Sequence, residues 1–562
     1  MPAWIRGSYL IRDPAKHVFE LHAWRGDAPV PVQRLDKSAF TVPAGEGALR
    51  IRYRVHASDN SVRKAFLDAN RGFFNGSSLF YAPVSIADAA FEIRLQKPSD
   101  PSCSEWEVAT AMTVVETDAA GFGRYMASDF EELMDHPFEL GAFRRHEFEV
   151  DGITHDLVLA GRVDADVDAH RVTADLTRIC SAQRQMFGGE PELDQYLFLT
   201  NVVNAGYGGL EHRASCALIC CRTDFPRLGE PGTSTEYRNF LGLCSHEYFH
   251  LWNVKRITAE NFQKSDLSRE AYTEDLWHYE GVTSYYDDLF LLRAQCVDAA
   301  GYLDLLAQTA TRLQRTPARL RQTLAEASFE TWIKFYQPDD NSLNANTNYY
   351  AKGALVALCL DLELRLNSDV TLDTVMQSMW KTYGRQGQGV PEGGLAAMAE
   401  RVSGLNLQAF FEKTLRSTQE LPLVDLLSQF GVTAELRGCT SPIDNGGRTL
   451  ASSKSSWAGL RLKPGTTTIS HVLDDGPAQA AGLSAEDELV ALEGLRLTPQ
   501  QWHKQMERQP AGQALQLHYF RDEALQLTSL CLQEAPLDTW TMTLADIEDE
   551  SVGQRRRQWL GV

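Results

Sequence analysis

The decisive stretch of the chain is residues 234–254, which read STEYRNFLGLCSHEYFHLWNV. Its apolar residues recur at helical spacing, and His246, Glu247 and His250 form the pattern HExxH. On a helix, two histidines four residues apart stand on one face about one turn apart, so both can bind one metal ion. The acid beside the first histidine is placed to take a proton from a water molecule. The stretch therefore predicts a metal-binding helix.

The residues around this pattern indicate that the helix is buried over much of its surface. The alternative interpretation, two surface histidines with a solvated glutamate, does not fit such neighbours. A buried glutamate between two histidines needs a partner, and a metal ion supplies one. The apolar neighbours are Leu241, Leu243, Phe249, Leu251 and Trp252.

A catalytic zinc site takes three protein ligands and keeps a fourth position open for water. The residues after His250 do not continue the pattern as HxxGxxH, which would supply a third histidine. A glutamate from a second helix is therefore the expected third ligand. Glu270 lies at the short spacing of well-known Glu-ligated zinc peptidases, but its context SDLSREAYTED is polar and typical of a loop. Glu280 lies in LWHYEGVTSYY, an aromatic helix start, and we expect it to be the ligand. The four candidates are Glu260, Glu270, Glu274 and Glu280.

Length, composition and charge limit the number of domains, the class of protein and the kind of partner. At about 150 residues per domain, 562 residues predict three to four domains or two large ones. With 43% hydrophobic and 23% charged residues the chain has the composition of a globular protein, which excludes disorder as its dominant state. The net charge of −21 argues against nucleic acid or an anionic membrane as the main partner.

Targeting signals are not visible in the sequence. No run of 18 apolar residues occurs, so we expect no membrane span. Arg6, Arg12 and Asp13 stand where a signal peptide needs an apolar run. The ten cysteines form no CxxC pair, which favours free thiols in a reducing compartment. We therefore expect a cytoplasmic protein, with a periplasmic location as the alternative if the true N-terminus is longer.

The hydrophobic pattern changes along the chain. Short alternating runs such as ALRIRYRVHA predict a β domain at residues 1–168, and segments with helical period dominate residues 169–436. Residues 437–456 carry Gly, Ser, Pro and Asn signals that are typical of a linker. We expect a small domain with short strands at 457–536 and a tail at 537–562.

Several motifs together resemble the glycyl aminopeptidase family of M61 peptidases, within the Glu-zincin group. HEYFHLWNVKRI and WHYEGVTSYY carry the resemblance, with PAWIRGSYLIRD, GFFNGSSLF, YGGLEHR and YYAKGALVALCLDLELR as further matches. The resemblance covers residues 2 to about 540. Family members usually carry several β segments before PAWIRGSY, so we expect the first strands of the N-terminal sheet to be missing here.

The resemblance implies roles for residues outside the zinc helix. Gly208, Gly209 and Glu211 would line the cleft from an edge strand, with the glycines allowing close approach and Glu211 holding the α-ammonium of the substrate. Tyr350 would donate its hydroxyl to the tetrahedral intermediate, with Tyr349 as the alternative. His212 and His278 are expected to be structural histidines rather than ligands.

Residues 476–494, GPAQAAGLSAEDELVALEG, are similar to a PDZ domain of the protease-associated kind. PDZ domains bind the C-terminus of a peptide by strand addition, with backbone amides holding the carboxylate. The carboxylate loop would be residues 457–460, WAGL, which depart from the usual GLGF form. The alternative is a packing module without a ligand.

These observations predict an α+β multidomain protein with an N-terminal β-sheet domain, a thermolysin-like and mostly helical catalytic domain, and a C-terminal PDZ domain. We expect an aminopeptidase with one Zn²⁺ per chain, held by His246, His250 and Glu280, that acts on peptides with a free N-terminus. Glu247 would be the general base for a zinc-activated water. The family implies small N-terminal residues, Gly and Ala. The alternatives are a PDZ-assisted zinc endopeptidase and a non-catalytic peptide-binding scaffold.

Overall fold

A computed structural model describes residues 1–84, 89–441, 443–449 and 456–562. None of the helices in these ranges combines the length and the apolar character that crossing a lipid bilayer requires. The described chain forms two compact units. The first comprises Met1–Tyr272, Tyr286–Cys296 and Met376–Glu392, and the second comprises Thr273–Tyr285, Val297–Val375 and Gly393–Val562.

The first unit is rich in strands, as its alternating sequence predicts. Its strands are β1 (Val18–Arg25), β2 (Ala28–Val30), β3 (Gln33–Arg34), β4 (Phe40–Thr41), β5 (Leu49–Val55), β6 (Ala65–Leu67), β7 (Arg71–Phe74), β8 (Phe91–Leu95), β9 (Glu107–Ala109), β10 (Thr113–Thr117), β11 (Gly123–Ala127), β12 (Phe138–Gly141), β13 (Arg144–Val150), β14 (Ile153–Gly161), β15 (Gln195–Val203), β16 (Gly208–Glu211) and β17 (Ser215–Cys221). Its helices include α1 (Phe130–Met134), α2 (Ala169–Met186), α3 (Thr235–Phe249) and α4 (Glu260–Gln263).

The N-terminal part of this unit consists of small antiparallel sheets with the strand orders β2-β1-β5, β3-β4, β10-β11-β8 and β6-β7-β12-β9. The sheets β10-β11-β8 and β6-β7-β12-β9 share a core that contains the stacked rings of Phe74 and Phe138, with centroids 4.9 Å apart, and the buried Trp106. The predicted N-terminal β domain is confirmed.

A five-stranded mixed sheet with the order β13-β14-β15-β17-β16 carries the functional part of the first unit. Strands β14, β15 and β17 are parallel and buried almost throughout, whereas β13 and β16 run antiparallel at the two edges. Three of these strands lie in the stretch that the sequence pattern assigned mainly to helices, so the sheet crosses the predicted boundary at residue 168. A short, continuously apolar strand cannot be told from a buried helix segment by its period, and this hides β15 and β17.

Helix α3 contains the HExxH pattern and packs against β16 and β17. It begins where the Ser234 side chain accepts a hydrogen bond from the Tyr237 backbone, a regular N-cap. Leu241, Cys244 and Tyr248 are fully buried, as the apolar neighbours of the pattern predict. The predicted buried helix is therefore present.

The second unit is mostly helical in its first part, in agreement with the expected helical catalytic region. Trp277–Gly281 form a π-helical turn that leads into α5 (Val282–Arg293), whose residues from Tyr286 onward belong to the first unit. The following helices are α6 (Ala299–Gln314), α7 (Leu324–Phe329), α8 (Ser342–Ala345), α9 (Tyr349–Asn367), α10 (Leu372–Met379), α11 (Gly394–Ser403), α12 (Gln408–Leu415) and α13 (Leu423–Ser428). The residues of α10 from Met376 onward belong to the first unit. Every residue of helix α9 from Ala351 to Leu362 is buried, which is typical of a helix at the centre of a core.

The C-terminal part of the second unit contains short strands and three helices. They are β18 (Val432–Gly438), β19 (Ser456–Trp457), β20 (Leu460–Leu462), β21 (Ile469–Val472), α14 (Pro477–Ala480), β22 (Glu488–Leu492), β23 (Leu495–Arg496), α15 (Pro499–Arg508), β24 (Ala514–Arg521), β25 (Ala524–Cys531), β26 (Gln533–Glu534), β27 (Leu537–Leu544) and α16 (Glu550–Leu560). Residues 458–532 share a core of their own, which includes Ile469, Leu489, Trp502, Leu517 and Leu530.

The two ends of this C-terminal part are joined by a β-ladder. Strand β27 pairs antiparallel with β18 along its whole length, from Val432 opposite Leu544 to Gly438 opposite Leu537. The residues predicted as a tail therefore form a strand and a helix. Of the predicted linker, residues 442 and 450–455 lie outside the described part, while Arg437 binds Asp444 through both guanidinium Nη atoms.

Candidate metal and peptide site

The two histidines of the HExxH pattern stand at the end of α3. His246 lies in the last turn, and His250 follows directly after Phe249. The His250 backbone N–H donates to the His246 carbonyl at 3.2 Å, so the helical path continues to the second histidine. The two ring centroids are 4.6 Å apart, and the ring planes are nearly perpendicular. Both rings can therefore reach one ion between them.

A hydrogen bond at Nδ1 orients each histidine ring. His246 Nδ1 lies 2.9 Å from Asp287 Oδ2, and His250 Nδ1 lies 2.6 Å from the Asn253 carbonyl oxygen. With Nδ1 engaged in this way, Nε2 is the nitrogen that each ring offers to a metal ion, as in most histidine-ligated sites. Burial raises the pKa of Asp287, and the His246 ring opposes that shift. Val254, just after Asn253, has a φ of 114°, which a β-branched residue rarely adopts.

Glu247 lies between the histidines in sequence and faces strand β16. Its side chain is buried, with an exposed fraction of 5%. A Cβ atom added to Gly209 would lie 2.1 Å from Glu247 Oε1 and 2.4 Å from its Cδ. The carboxylate thus rests directly on the backbone of the edge strand, and only glycine leaves room for it.

Glu211 brings a second buried carboxylate to the same place. Its exposed fraction is 3%, and a metal-ligand atom from each of Glu211, Glu247 and His250 lies within 4.8 Å of the others. The N-terminal turn covers Glu211, because a Cβ on Gly7 would lie 2.2 Å from Glu211 Oε1. Gly7 has a φ of 89°, a conformation that favours glycine.

The turn that follows Glu211 contains His212 and Arg213, which belong to a charged cluster around Asp135. Asp135 accepts hydrogen bonds from Lys255 Nζ and from the Arg213 backbone N–H, and it lies 3.5 Å from His212 Nδ1. Burial opposes ionisation of Asp135, but Lys255, His212 and Arg213 outweigh it and hold its pKa well below the usual value. His212 therefore faces an aspartate, in agreement with the structural role expected for it.

Glu280 belongs to the second unit, where it lies on the π-helical turn Trp277–Gly281. It is 2% exposed, and π-helical turns occur frequently at functional sites. The next residue, Gly281, lies against Gly353 of α9, since a Cβ on Gly281 would be 2.5 Å from the Gly353 Cα. This glycine–glycine contact holds the turn of Glu280 against the first turns of α9.

The two tyrosines at the start of α9 have different surroundings. Tyr349 is fully buried and accepts a hydrogen bond from Thr331 Oγ1, and burial raises its pKa well above the usual value. Tyr350 is half-buried, and its hydroxyl lies 2.8 Å from that of Tyr336. Tyr350 is thus the more accessible of the two residues.

Comparison with known proteins identifies the family. The model of the M61 glycyl aminopeptidase matches residues 239–356, and that of the peptidase M61 N-terminal domain matches residues 1–142. The crystal structure of an aminopeptidase N family protein from Idiomarina loihiensis is 36% identical, with a TM-score of 0.94 over 100% of this chain and 94% of that one. The chain belongs to the M61 glycyl aminopeptidase family.

Two other structures are more distant from this M61 protein. An M1 zinc metallopeptidase from Deinococcus radiodurans is 16% identical, with a TM-score of 0.44 over 71% of this chain and 84% of that chain. Aminopeptidase A from Legionella pneumophila, in complex with aspartic acid, is 15% identical, with a TM-score of 0.47 over 75% of this chain and 46% of that chain. Among curated proteins no sequence matches.

In its first unit, the M61 protein brings together four residues that the sequence pointed to, Gly209, Glu211, Glu247 and His250. Gly208 precedes them on β16 with a φ of 149°. Asp287 and Gly7 were not found by the sequence reasoning. Gly7 lies between Arg6 and Ser8 in the motif PAWIRGSYLIRD, where no local pattern indicates a contact with Glu211.

The contact between Gly209 and Glu247 yields a testable prediction. Gly209→Ala should displace the Glu247 carboxylate and lower peptidase kcat/KM at least about tenfold, because the added methyl group needs the space of a buried charged group. Steady-state kinetics on an aminoacyl anilide checks this. Gly242→Ala on α3 is the matched control. The added Cβ would lie 3.8 Å from its nearest neighbour, Asp288 Oδ1, so the variant should keep its activity. Equal activity of both variants would show that the strand can move away from the helix.

Proposed function

We propose that this M61 protein is a zinc-dependent aminopeptidase that removes small N-terminal residues, Gly and Ala, from peptides with a free N-terminus. The convergence of Glu211, Glu247 and His250 within 4.8 Å carries the proposal. Two buried carboxylates beside a histidine fit a site that receives cations, because opposite charges attract more strongly where solvent screens them less. A metal ion and the ammonium group of a substrate are the two cations that an aminopeptidase brings together.

The metal would be held by His246, His250 and Glu280. The donor set fits zinc, because each histidine is held at Nδ1 as ligating histidines usually are. When bound, zinc supplies a Lewis acid that polarises the scissile carbonyl and lowers the pKa of water toward neutrality.

The surroundings of the four candidate glutamates favour Glu280 as the third ligand. Glu260 is exposed and forms a salt bridge with Lys264, and Glu274 forms one with Arg416. Glu270 lies half-exposed in a loop, whereas Glu280 is buried on a helical turn.

Glu247 would be the general base. Its carboxylate lies on the edge strand beside His250, where it can take a proton from the attacking water and later deliver it to the leaving amine. Tyr350 would donate its hydroxyl to the oxyanion of the tetrahedral intermediate, since a neutral phenol is a good donor to negative charge. Its greater accessibility compared with Tyr349 supports this choice.

Glu211 would bind the substrate α-ammonium and so restrict cleavage to the first residue. The carboxylate is buried, so a charge pair with an ammonium group is little screened by solvent. Gly208 and Gly209 would let the substrate backbone approach β16 closely. The Gly7 turn lies in contact with the Glu211 carboxylate, which supports a small first side chain because little space is left beside the ammonium site.

Residues 457–536 would form the PDZ domain, and its own core supports a separate module. A peptide C-terminus is the ligand class of such domains. In the loop Trp457–Leu460, the carbonyls of Ala458 and Gly459 accept hydrogen bonds from Ala478 and Leu473. The second candidate function, a PDZ-assisted endopeptidase, would cleave N-terminally blocked peptides, which an aminopeptidase leaves intact.

Glu247→Gln should keep bound zinc and lose activity by about 10²–10⁴-fold, because the base is removed while the ligands remain. Metal analysis after dialysis and single-turnover kinetics check both halves of the prediction. Near-normal turnover with zinc present would show that another group takes the proton.

Glu280→Ala should lose zinc on dialysis, whereas Glu270→Ala, the matched control, should keep it. The physical reason is that removing one of three ligands leaves a site too weak to retain the ion. Atomic absorption on both dialysed variants measures the difference. Loss of zinc from the Glu270 variant alone would assign the third ligand to the loop.

Glu211→Ala should lower kcat/KM for substrates with a free amine by about 30-fold or more, since truncating one partner of a buried charge pair costs about 2 kcal/mol or more. The loss should shrink above about pH 8, where the substrate amine becomes neutral and has less charge to pair. Any weak cleavage of N-acetylated peptides should be unchanged. An equal loss on free and acetylated peptides would favour the endopeptidase.

A further inference from the structure

Arg63 lies beside the edge strand of the site and has no role in the function described above. Its loop is fixed by Val62, which packs in a core cluster with Leu210 of β16 itself. The buried Asn75 side chain donates to the Val62 carbonyl at 2.8 Å, and the Asn75 backbone N–H donates to the Lys64 carbonyl at 3.3 Å. The residues on both sides of Arg63 are therefore tied to the framework that holds β16.

Strand β16 ends its sheet, and its second edge is unpaired among the described strands. The His212 N–H donates to the Ser215 carbonyl, so this pair is hydrogen-bonded across β16 and β17. In an antiparallel strand, the backbone N–H and C=O groups of alternate residues point to the same neighbouring strand. The backbone groups of Leu210 and Gly208 therefore also point toward β17. The backbone groups of Gly209 and Glu211 point to the open edge.

The guanidinium of Arg63 lies on that open edge. Its Nη2 donates to the Gly209 carbonyl at 3.1 Å, and its Nη1 lies 4.0 Å from the Cβ position of Gly208. No carboxylate in the described part of the chain forms an ion pair with Arg63. The hydrogen bond to the Gly209 carbonyl is the one that its guanidinium donates among the described residues. A guanidinium presents five N–H donors in a planar fork that matches a carboxylate. Most of its donors and all of its charge remain for another partner.

We propose that Arg63 binds the C-terminal carboxylate of the substrate, so that the enzyme acts on short peptides, above all dipeptides and tripeptides. This inference rests on the proposed aminopeptidase function and on Glu211 as the ammonium site.

The direction of the edge strand supports this assignment. A peptide added antiparallel to β16 begins near Glu211 and runs toward Gly209 and then Gly208. Two strand residues span about 7 Å, close to the length of an extended dipeptide between its amine and its carboxylate. The carboxylate of the second or third substrate residue therefore falls beside Arg63.

The test compares three substrates that share an N-terminal alanine: alanyl-alanine, alanyl-alanine amide and alanyl p-nitroanilide. Arg63→Ala should lower the ratio of kcat/KM for the dipeptide to that for its amide by about 10- to 100-fold, the range of a hydrogen bond to a charged group. The change should appear mainly in KM. Arg63→Lys keeps a positive charge without the fork and should recover part of the ratio.

Arg54→Ala is the matched control, because Arg54 is an exposed arginine of the same unit that pairs with Glu20 on the surface. It should leave the ratio and the melting temperature at their wild-type values. Thermal unfolding of both variants separates misfolding from loss of a contact.

An equal loss on all three substrates in Arg63→Ala would overturn the proposal and assign Arg63 to the support of Gly209. An unchanged ratio would overturn it as well. Hydrolysis of the anilide by the wild-type protein tests the aminopeptidase function on its own, because the anilide carries no carboxylate. A protein that fails on the anilide and on both peptides would refute the proposed function, whereas a protein that cleaves all three without discrimination would refute only the role of Arg63.

Discussion

The backbone of Gly209 lies against the carboxylate of Glu247, and the geometry of the candidate site follows from this contact. Side chains two residues apart on a strand point to the same face. A Cβ atom on Gly209 would point at Glu247, so the side chain of Glu211 points to this same face of β16. The register with β17, Gly209 opposite Leu218 and Glu211 opposite Cys216, fixes this parity. If the register between β16 and β17 shifted by one residue, Leu210 would face the helix, and Gly209 and Glu211 would face away from it.

The same contact concentrates negative charge in a place that excludes water. The aminopeptidase proposed above would bring two cations to this place, a metal ion and the ammonium group of its substrate, and buried negative charge attracts both. The overall charge of −21 gives the surrounding field the same sign.

The sequence predicted the parts of this protein whose chemistry is local. The HExxH spacing gave the helix and the orientation of His246 and His250, and the aromatic context of Glu280 indicated a buried acid. The predicted β-rich start and helical middle are also present. The mixed sheet was harder, because β15 and β17 are short apolar runs without a distinctive period, and they join strands on both sides of the expected boundary.

The residues that were missed act through tertiary contacts. Asp287 reaches His246 from 41 positions further along the chain, and Arg63 reaches Gly209 from 146 positions earlier. Gly7 meets Glu211 across a still longer separation in sequence. No local pattern marks such pairs in a single sequence, since an aspartate on a helix or an arginine in a loop is usually a solvated surface residue.

The ladder between β18 and β27 gives the C-terminal part the architecture of a cassette. Gly438 and Leu537 stand opposite each other, so the chain leaves this place and returns to it, and between the two residues 458–532 form a core of their own. An inserted segment whose two ends are neighbours can be exchanged, shortened or duplicated in evolution without rerouting the rest of the polypeptide, and the entropy of closing the loop changes only slowly with its length. Replacement of this cassette alone leaves the path of the chain through the peptidase framework unchanged.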